Sequence, residues 1–235
     1  MNEQHLWLFD GAQLINHEDF QALFIKLAQA QRLQDLYSQE PEALHLHGPI
    51  LCELKPDEIE TVKALIEQYF GCYASWLVVN ASLNELATQW RKSVNLLQCE
   101  SGERYYLRYA DTRVLEVLPR IMNVPQWQAL TEHVQTWRYV NRAQKIQSIA
   151  PKQLEVSEKS GLIWSDHQVA LLIDATWPDA LLAEVWAVNP DIKNPKRVHQ
   201  QWQTMCDVYA AAKTQGKESD LAFQMKRAMD ALATK

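Results

Sequence analysis

Short apolar runs alternate with stretches of helical periodicity over the first 140 residues of this chain, and then the short runs stop. Apolar residues that share a face recur every second position in a strand and every three or four in a helix, so the order of the two patterns limits the fold. Residues 6–9 are apolar and end at Asp10-Gly11, which reads as a buried strand closed by a turn. Between residues 18 and 37, Phe20, Leu23, Phe24, Leu27, Ala30, Leu33 and Tyr37 recur at helical steps, predicting one amphipathic helix that stops before Pro41. A second strand is expected within 45–54. Gly48-Pro49 delays it, because proline cannot donate to a ladder. Pro56 opens a helix with Ile59, Val62, Leu65, Ile66 and Tyr69 on one face, and residues 73–79 are rich in aromatic and β-branched side chains, as in a strand.

Ser82-Leu83-Asn84-Glu85 is a capping box, and the helix it opens turns Leu83, Leu86, Ala87 and Trp90 inward. Two short strands, 94–99 and 105–109, flank a turn containing Gly102. Asp111 caps a further helix with Val114, Leu115, Leu118 and Met122 on one side. The order β-α-β-α-β-α-β-β-α predicts an α/β fold: a mixed sheet with helices packed on it.

From about residue 143 the pattern changes. Residues 144–157 read as irregular around Pro151, and only helices follow. One is capped at Ser165 or Asp166, and a second is opened by Pro178. A third carries Val198, Trp202, Met205, Cys206 and Tyr209, and a fourth runs from Ser219. The chain therefore divides into an α/β lobe, 1–143, and a small all-α lobe, 144–235.

The net charge is −6, split as −5 over residues 1–150 and −1 over the rest, so neither part has the basic footprint of a nucleic-acid binder. Lys193-Asn194-Pro195-Lys196-Arg197 is a local exception that reads as a solvated loop. The N-terminus lacks a basic and apolar leader pattern, and no apolar run is long enough to insert into a membrane. A cytoplasmic protein is expected. Cys52, Cys72, Cys99 and Cys206 are too widely spaced for a zinc knuckle or a redox pair, and are expected as free thiols. His45 and His47 share one side of a strand, but no third ligand lies near them, so no metal is expected. Six glycines, none clustered, do not make a phosphate loop, and no GxSxG elbow exists, so no cofactor is expected. Nine tryptophans are many for this length. Most are expected at the core or its edge. Trp164, Trp177, Trp186 and Trp202 crowd the small lobe, and at least one of them is a candidate for a partner-binding surface.

Residues 104–115 are the densest segment. A strand leads into the capped helix, and Arg108 and Arg113 flank Asp111. The structural reading is a strand–helix junction pinned by charge-assisted bonds; the chemical one is catalysis by an Asp/Arg cluster.

Arg108-Tyr109-Ala110-Asp111-Thr112-Arg113-Val114-Leu115 resembles the arginine–aromatic–aromatic–Asp–Pro–Arg–Val–Leu signature of the type VI secretion effector adaptors. These are the Tap or TEC chaperones, long described as a domain of unknown function. Companion landmarks follow in order: Trp7-Leu8-Phe9-Asp10-Gly11-Ala12, Gly48-Pro49-Ile50-Leu51, Ser75-Trp76, Leu118-Pro119 and Gly216-Lys217-Glu218-Ser219-Asp220-Leu221. The resemblance covers residues 6 to about 140 well and the remainder weakly. Ala110 departs from the usual aromatic and Thr112 from the usual proline. The resemblance implies a non-catalytic cytoplasmic adaptor in a Gram-negative bacterium. It would bind a secreted effector and the tip of the VgrG spike, with neither nucleic acid nor membrane insertion. The implied signature residues are Asp10, Gly11, Gly48, Pro49, Arg108, Tyr109, Asp111 and Arg113, with Trp76 a further candidate contact. The alternative is a small hydrolase or transferase using Asp10, Asp111 and Arg113.

Overall fold

The computed structural model describes residues 3–68, 74–149, 151, 163–194 and 197–233. The chain divides into two compact units, Met1–Ala170 and Leu171–Lys235. The first is built on a six-stranded sheet of β1 (Gln4–Asp10), β2 (Leu33–Asp35), β3 (Pro49–Cys52), β4 (Ala74–Val79), β7 (Val134–Val140) and β8 (Ile146–Ile149). Its order is β2-β3-β1-β4-β7-β8, and every pair is antiparallel. A second sheet joins β6 (Arg104–Tyr106), β5 (Leu96–Cys99) and β9 (Ile163–Trp164), with β5–β6 antiparallel and β5–β9 parallel. The α/β class thus holds, and the mixed pairing sits in the smaller sheet.

Because Leu6, Trp7, Leu8 and Phe9 are all buried, β1 is covered on both faces, as a continuous apolar run requires. Trp7 and Phe9 point toward Phe20, Leu23, Phe24 and Leu27 of α2 (Glu18–Gln29) and Val62 of α3 (Pro56–Gln68). On the opposite face Leu6 stands across from Leu77, and Leu77 from Trp137. Trp137 donates to the buried Ser75 hydroxyl at 2.8 Å and stacks on Trp90 of α4 (Leu83–Ser93) at 5.6 Å. The Trp90 indole donates in turn to the Leu130 carbonyl of α7 (Val124–Thr131).

The expected helix over 18–37 stops at Gln29. Gln31 takes φ 56°, its N–H bonds to Ala28 O, and the Arg32 N–H bonds to Leu27 O. This is a Schellman stop with glutamine in the left-handed position. Arg32 then forms a fork with Glu58 at 2.7 and 2.8 Å, and Lys26 adds a contact at 2.9 Å. The buried carboxylate (4% exposed) also accepts from the Lys55 N–H at the start of α3. Arg32 holds the Glu58 carboxyl well below the usual carboxylate range, outweighing the cost of burial.

The box at Ser82–Glu85 forms as read, with both reciprocal bonds. The helix expected after Asp111 is instead two single turns, α5 (Thr112–Leu115) and α6 (Leu118–Ile121), since Pro119 sits at the start of the second. Strands β8 and β9 correct the expectation of irregular chain over 144–157 followed only by helices, and β7 is a strand that no expectation covered.

A capping box of Ser165 and Gln168 opens α8 (Asp166–Val188), which carries Pro178 in its interior. One helix thus stands where two were expected, and the division between units falls within it. In the second unit α9 (Val198–Thr214) ends at Gly216, φ 64°, with Schellman bonds from Gly216 to Lys213 O and from Lys217 to Ala212 O. Helix α10 (Leu221–Ala233) is capped by Asp220, whose carboxylate accepts from the Phe223 N–H, rather than by Ser219. Leu181, Leu182, Val185, Met205, Val208 and Ala228 form this unit's core. No helix among the described residues is long and apolar enough to cross a membrane.

Candidate functional site

The signature residues converge where β1 ends, β3 begins and the chain leaves β6. The Gly11 N–H donates to Gly48 O at 3.0 Å. A Cβ on Gly11 would lie 2.0 Å from Leu46 O, and one on Gly48 would lie 2.3 Å from the Tyr37 ring, so neither position accepts a side chain. Pro49 starts β3 opposite Asp10. Arg108 reaches back across 98 residues to donate from Nη2 to Asp10 Oδ2 at 2.5 Å, with Asp111 Oδ2 3.6 Å away. Asp111 is buried. It caps α5 through the Arg113 N–H at 3.0 Å and receives Arg113 Nε and Nη2 at 2.9 and 2.6 Å.

The two carboxylates differ in their electrostatics. Burial pushes Asp10 up to about 6 against the pull of Arg108, and the neighbouring Asp111 charge adds to the rise. Burial also acts on Asp111, but Arg113 and Arg108 outweigh it and hold that carboxyl below its usual value. Tyr109 is fully buried. It donates to Asn95 Oδ1 at 2.7 Å, Asn95 Nδ2 donates to Leu36 O, and Trp90 meets the Tyr109 ring edge-on at 5.1 Å. Thr112, in the position where the signature has proline, donates its hydroxyl to Val140 O at the end of β7. The departure therefore adds a tie that proline could not make.

Beside this cluster lies a cleft of about 230 Å³ with Asp10, Tyr37, Pro49, Tyr106, Arg108 and Ala110 in its wall. Tyr37 and Tyr106 pack at 4.8 Å, and the Tyr106 hydroxyl donates to Glu40. Ala110 is the other departure from the signature, and its small side chain borders the open space. This cleft has no direct signal in the sequence, because its wall comes from segments far apart in the chain.

The remaining candidates fall apart. Trp164 belongs to the first unit, on β9, and is fully buried, so it presents no surface. Trp76 is half-buried against Trp7 at 5.5 Å. In the second unit Trp177, Trp186 and Trp202 are each half-buried. Trp177 donates to Gln224 at 2.8 Å, Lys193 sits over Trp186 at 5.3 Å, and His199 stacks on Trp202 at 5.9 Å. His45 and His47 bond to the carbonyls of Glu40 and His45. Cys52 and Cys99 are buried free thiols and Cys206 is a half-buried one; Cys72 lies outside the described residues.

No curated protein and no solved structure matches the chain. A family model does match over residues 6–129, more than half of the chain, and this span contains every residue of the Asp10–Arg108–Asp111–Arg113 cluster. The chain belongs to the family described as Domain of unknown function (DUF4123).

Proposed function

We propose that this protein is a non-catalytic adaptor of a type VI secretion system, which holds a cognate effector in the cytoplasm and loads it onto the VgrG spike. Family membership over residues 6–129, with the adaptor signature at Arg108–Leu115, carries the reading. The geometry supports it because the signature acids and bases neutralise one another. Both Asp111 oxygens are engaged by Arg113, one Asp10 oxygen is held by Arg108, and all serve to join β1, β6 and α5. Such a cluster is a scaffold on which partner-binding surfaces are carried.

The test is affinity capture of the full chain from its native cells, read by mass spectrometry. A spike protein and a toxin encoded beside this gene are the expected partners, and capture of neither overturns the reading. One observation favours a hydrolase or transferase instead: a buried carboxyl at about 6 in a cleft wall, Asp10, is the kind of group that acid–base chemistry uses. If Asp10→Asn abolished a measurable turnover while capture of partners persisted, that second reading would replace the first.

A further inference from the structure

We propose that the cleft beside Arg108 takes one apolar residue of an extended partner segment, gripping its backbone amide between Arg108 and Asp10. This deepens the adaptor reading and rests on it for the owner of that segment. Three observations point to this occupant.

First, the size: at about 230 Å³ the cleft lies below the roughly 300–1,000 Å³ of sites for drug-sized ligands and cofactors, and suits a single side chain. Second, the wall: Tyr37, Pro49, Tyr106 and Ala110 make it apolar, and Tyr106 is tied down by Glu40, so the shape exists before anything binds. Third, the polar groups are matched to a neutral donor–acceptor pair. Arg108 uses only Nη2 on Asp10 and Asp111, and its side chain is 43% exposed. Its Nε and Nη1 donate no hydrogen bond and form no ion pair among the described residues. Asp10 receives a hydrogen bond from Arg108 alone among those residues, and burial has already raised its carboxyl, so a further donor is favourable there.

A peptide group supplies both partners, its carbonyl accepting from Arg108 and its N–H donating to Asp10. A carboxylate suits the cleft less well. Arg108 is already shared by two acids, and an incoming anion would meet the Asp10 charge within a low-dielectric wall.

The test titrates the isotopically labelled full chain with two probes, N-acetyl-leucine N-methylamide and N-acetyl-leucine as its carboxylate. The neutral probe should shift the Gly48, Ala110 and Arg108 Nε–H signals saturably. A dissociation constant of about 1 mM is the affinity open to a ligand of that size. The carboxylate should bind at least about five-fold more weakly. Ala12→Leu places bulk in the cleft wall and should remove the response while the spectrum stays dispersed. Ala110→Val is the second variant should the first not fold. Equal or tighter binding of the carboxylate, no saturable response to the neutral probe, or a response that survives in the folded variants overturns the proposal. A chain that captures its partners from cells yet ignores the neutral probe keeps the adaptor reading and ends this one.

Discussion

Replacing Asp111 measures how much of the junction is helix cap and how much is charge. Read as a cap alone, Asp111→Ala costs about 1 kcal/mol. The structure raises that figure. Asp111 is 2% exposed, and its two oxygens receive the Arg113 backbone N–H and two guanidinium nitrogens, with Arg108 a further 3.6 Å contact. Removing one partner of a buried ion pair costs about 3–5 kcal/mol, mostly by leaving the other charge unpaired. Arg113 keeps 20% exposure and can turn outward, so the lower end applies, about 3 kcal/mol. Asp111→Asn retains a good cap and loses the charge, so about 2 kcal/mol is expected.

Urea denaturation of the full chain, followed by tryptophan fluorescence, gives both values as shifts in midpoint at constant slope. The pH dependence has a definite sign. The folded carboxyl titrates below its unfolded value of 3.8, so its contribution is fully present above that pH. It is lost as pH falls through the folded value, and the gap between wild type and Asp111→Asn should close on acidification. A loss of 1 kcal/mol or less for Asp111→Ala, with none for Asp111→Asn, would refute the argument that the buried pair stabilises the junction.

Asp10 has the opposite sign: its carboxyl is raised from 3.8 to about 6, so the folded state holds the proton more tightly. Its contribution should fall as pH rises from about 4 to 6, by about 3 kcal/mol in all. Comparing the stability of wild type and Asp10→Asn across that window checks this. Arg32→Ala should cost about 3 kcal/mol, because Glu58 would be left buried with the exposed Lys26 as its neighbouring cation and the Lys55 N–H as a neutral donor. Thermal denaturation of the single and double variants of Arg32 and Glu58 should show strong coupling. Gln31→Gly should stabilise the chain by roughly 0.5–1 kcal/mol, since glycine enters the left-handed conformation at the end of α2 without a steric cost. An increase in Tm is the readout.

Elements specified by neighbouring residues were legible. The Ser82–Glu85 box, the Asp111 cap, the Gly102 turn and the delayed start of β3 at Pro49 all appear where the sequence predicts them. Each depends on hydrogen bonds or steric limits within about four residues. β7 carries a signal of the same short-range kind although it is not among the expected strands: Val134-Gln135-Thr136-Trp137-Arg138-Tyr139-Val140 is rich in β-branched and aromatic residues, and its buried positions are Val134, Trp137 and Tyr139. The Asn123–Gln126 capping box that opens α7 is a second signal of this local kind.

The end of α2 was not legible, because apolar periodicity runs on through Leu33 and Tyr37 as if the helix continued. What places those residues elsewhere is β2 pairing with β3, together with Arg32 reaching Glu58, 26 residues away. Pro178 reads as a helix start on local grounds, yet it lies buried inside α8.

The sequence by itself determined the α/β class, the caps and turns, and the signature segment, because each is written in short-range chemistry. Only the tertiary structure decided that the large sheet is antiparallel throughout, that Trp164 is buried in the first unit, and that Arg108 links Asp10 to Asp111 at the edge of a cleft. The physical reason is the separation along the chain. Asp10 and Arg108 meet across 98 residues, and periodicity can say that a side chain needs a partner without saying which distant residue provides it.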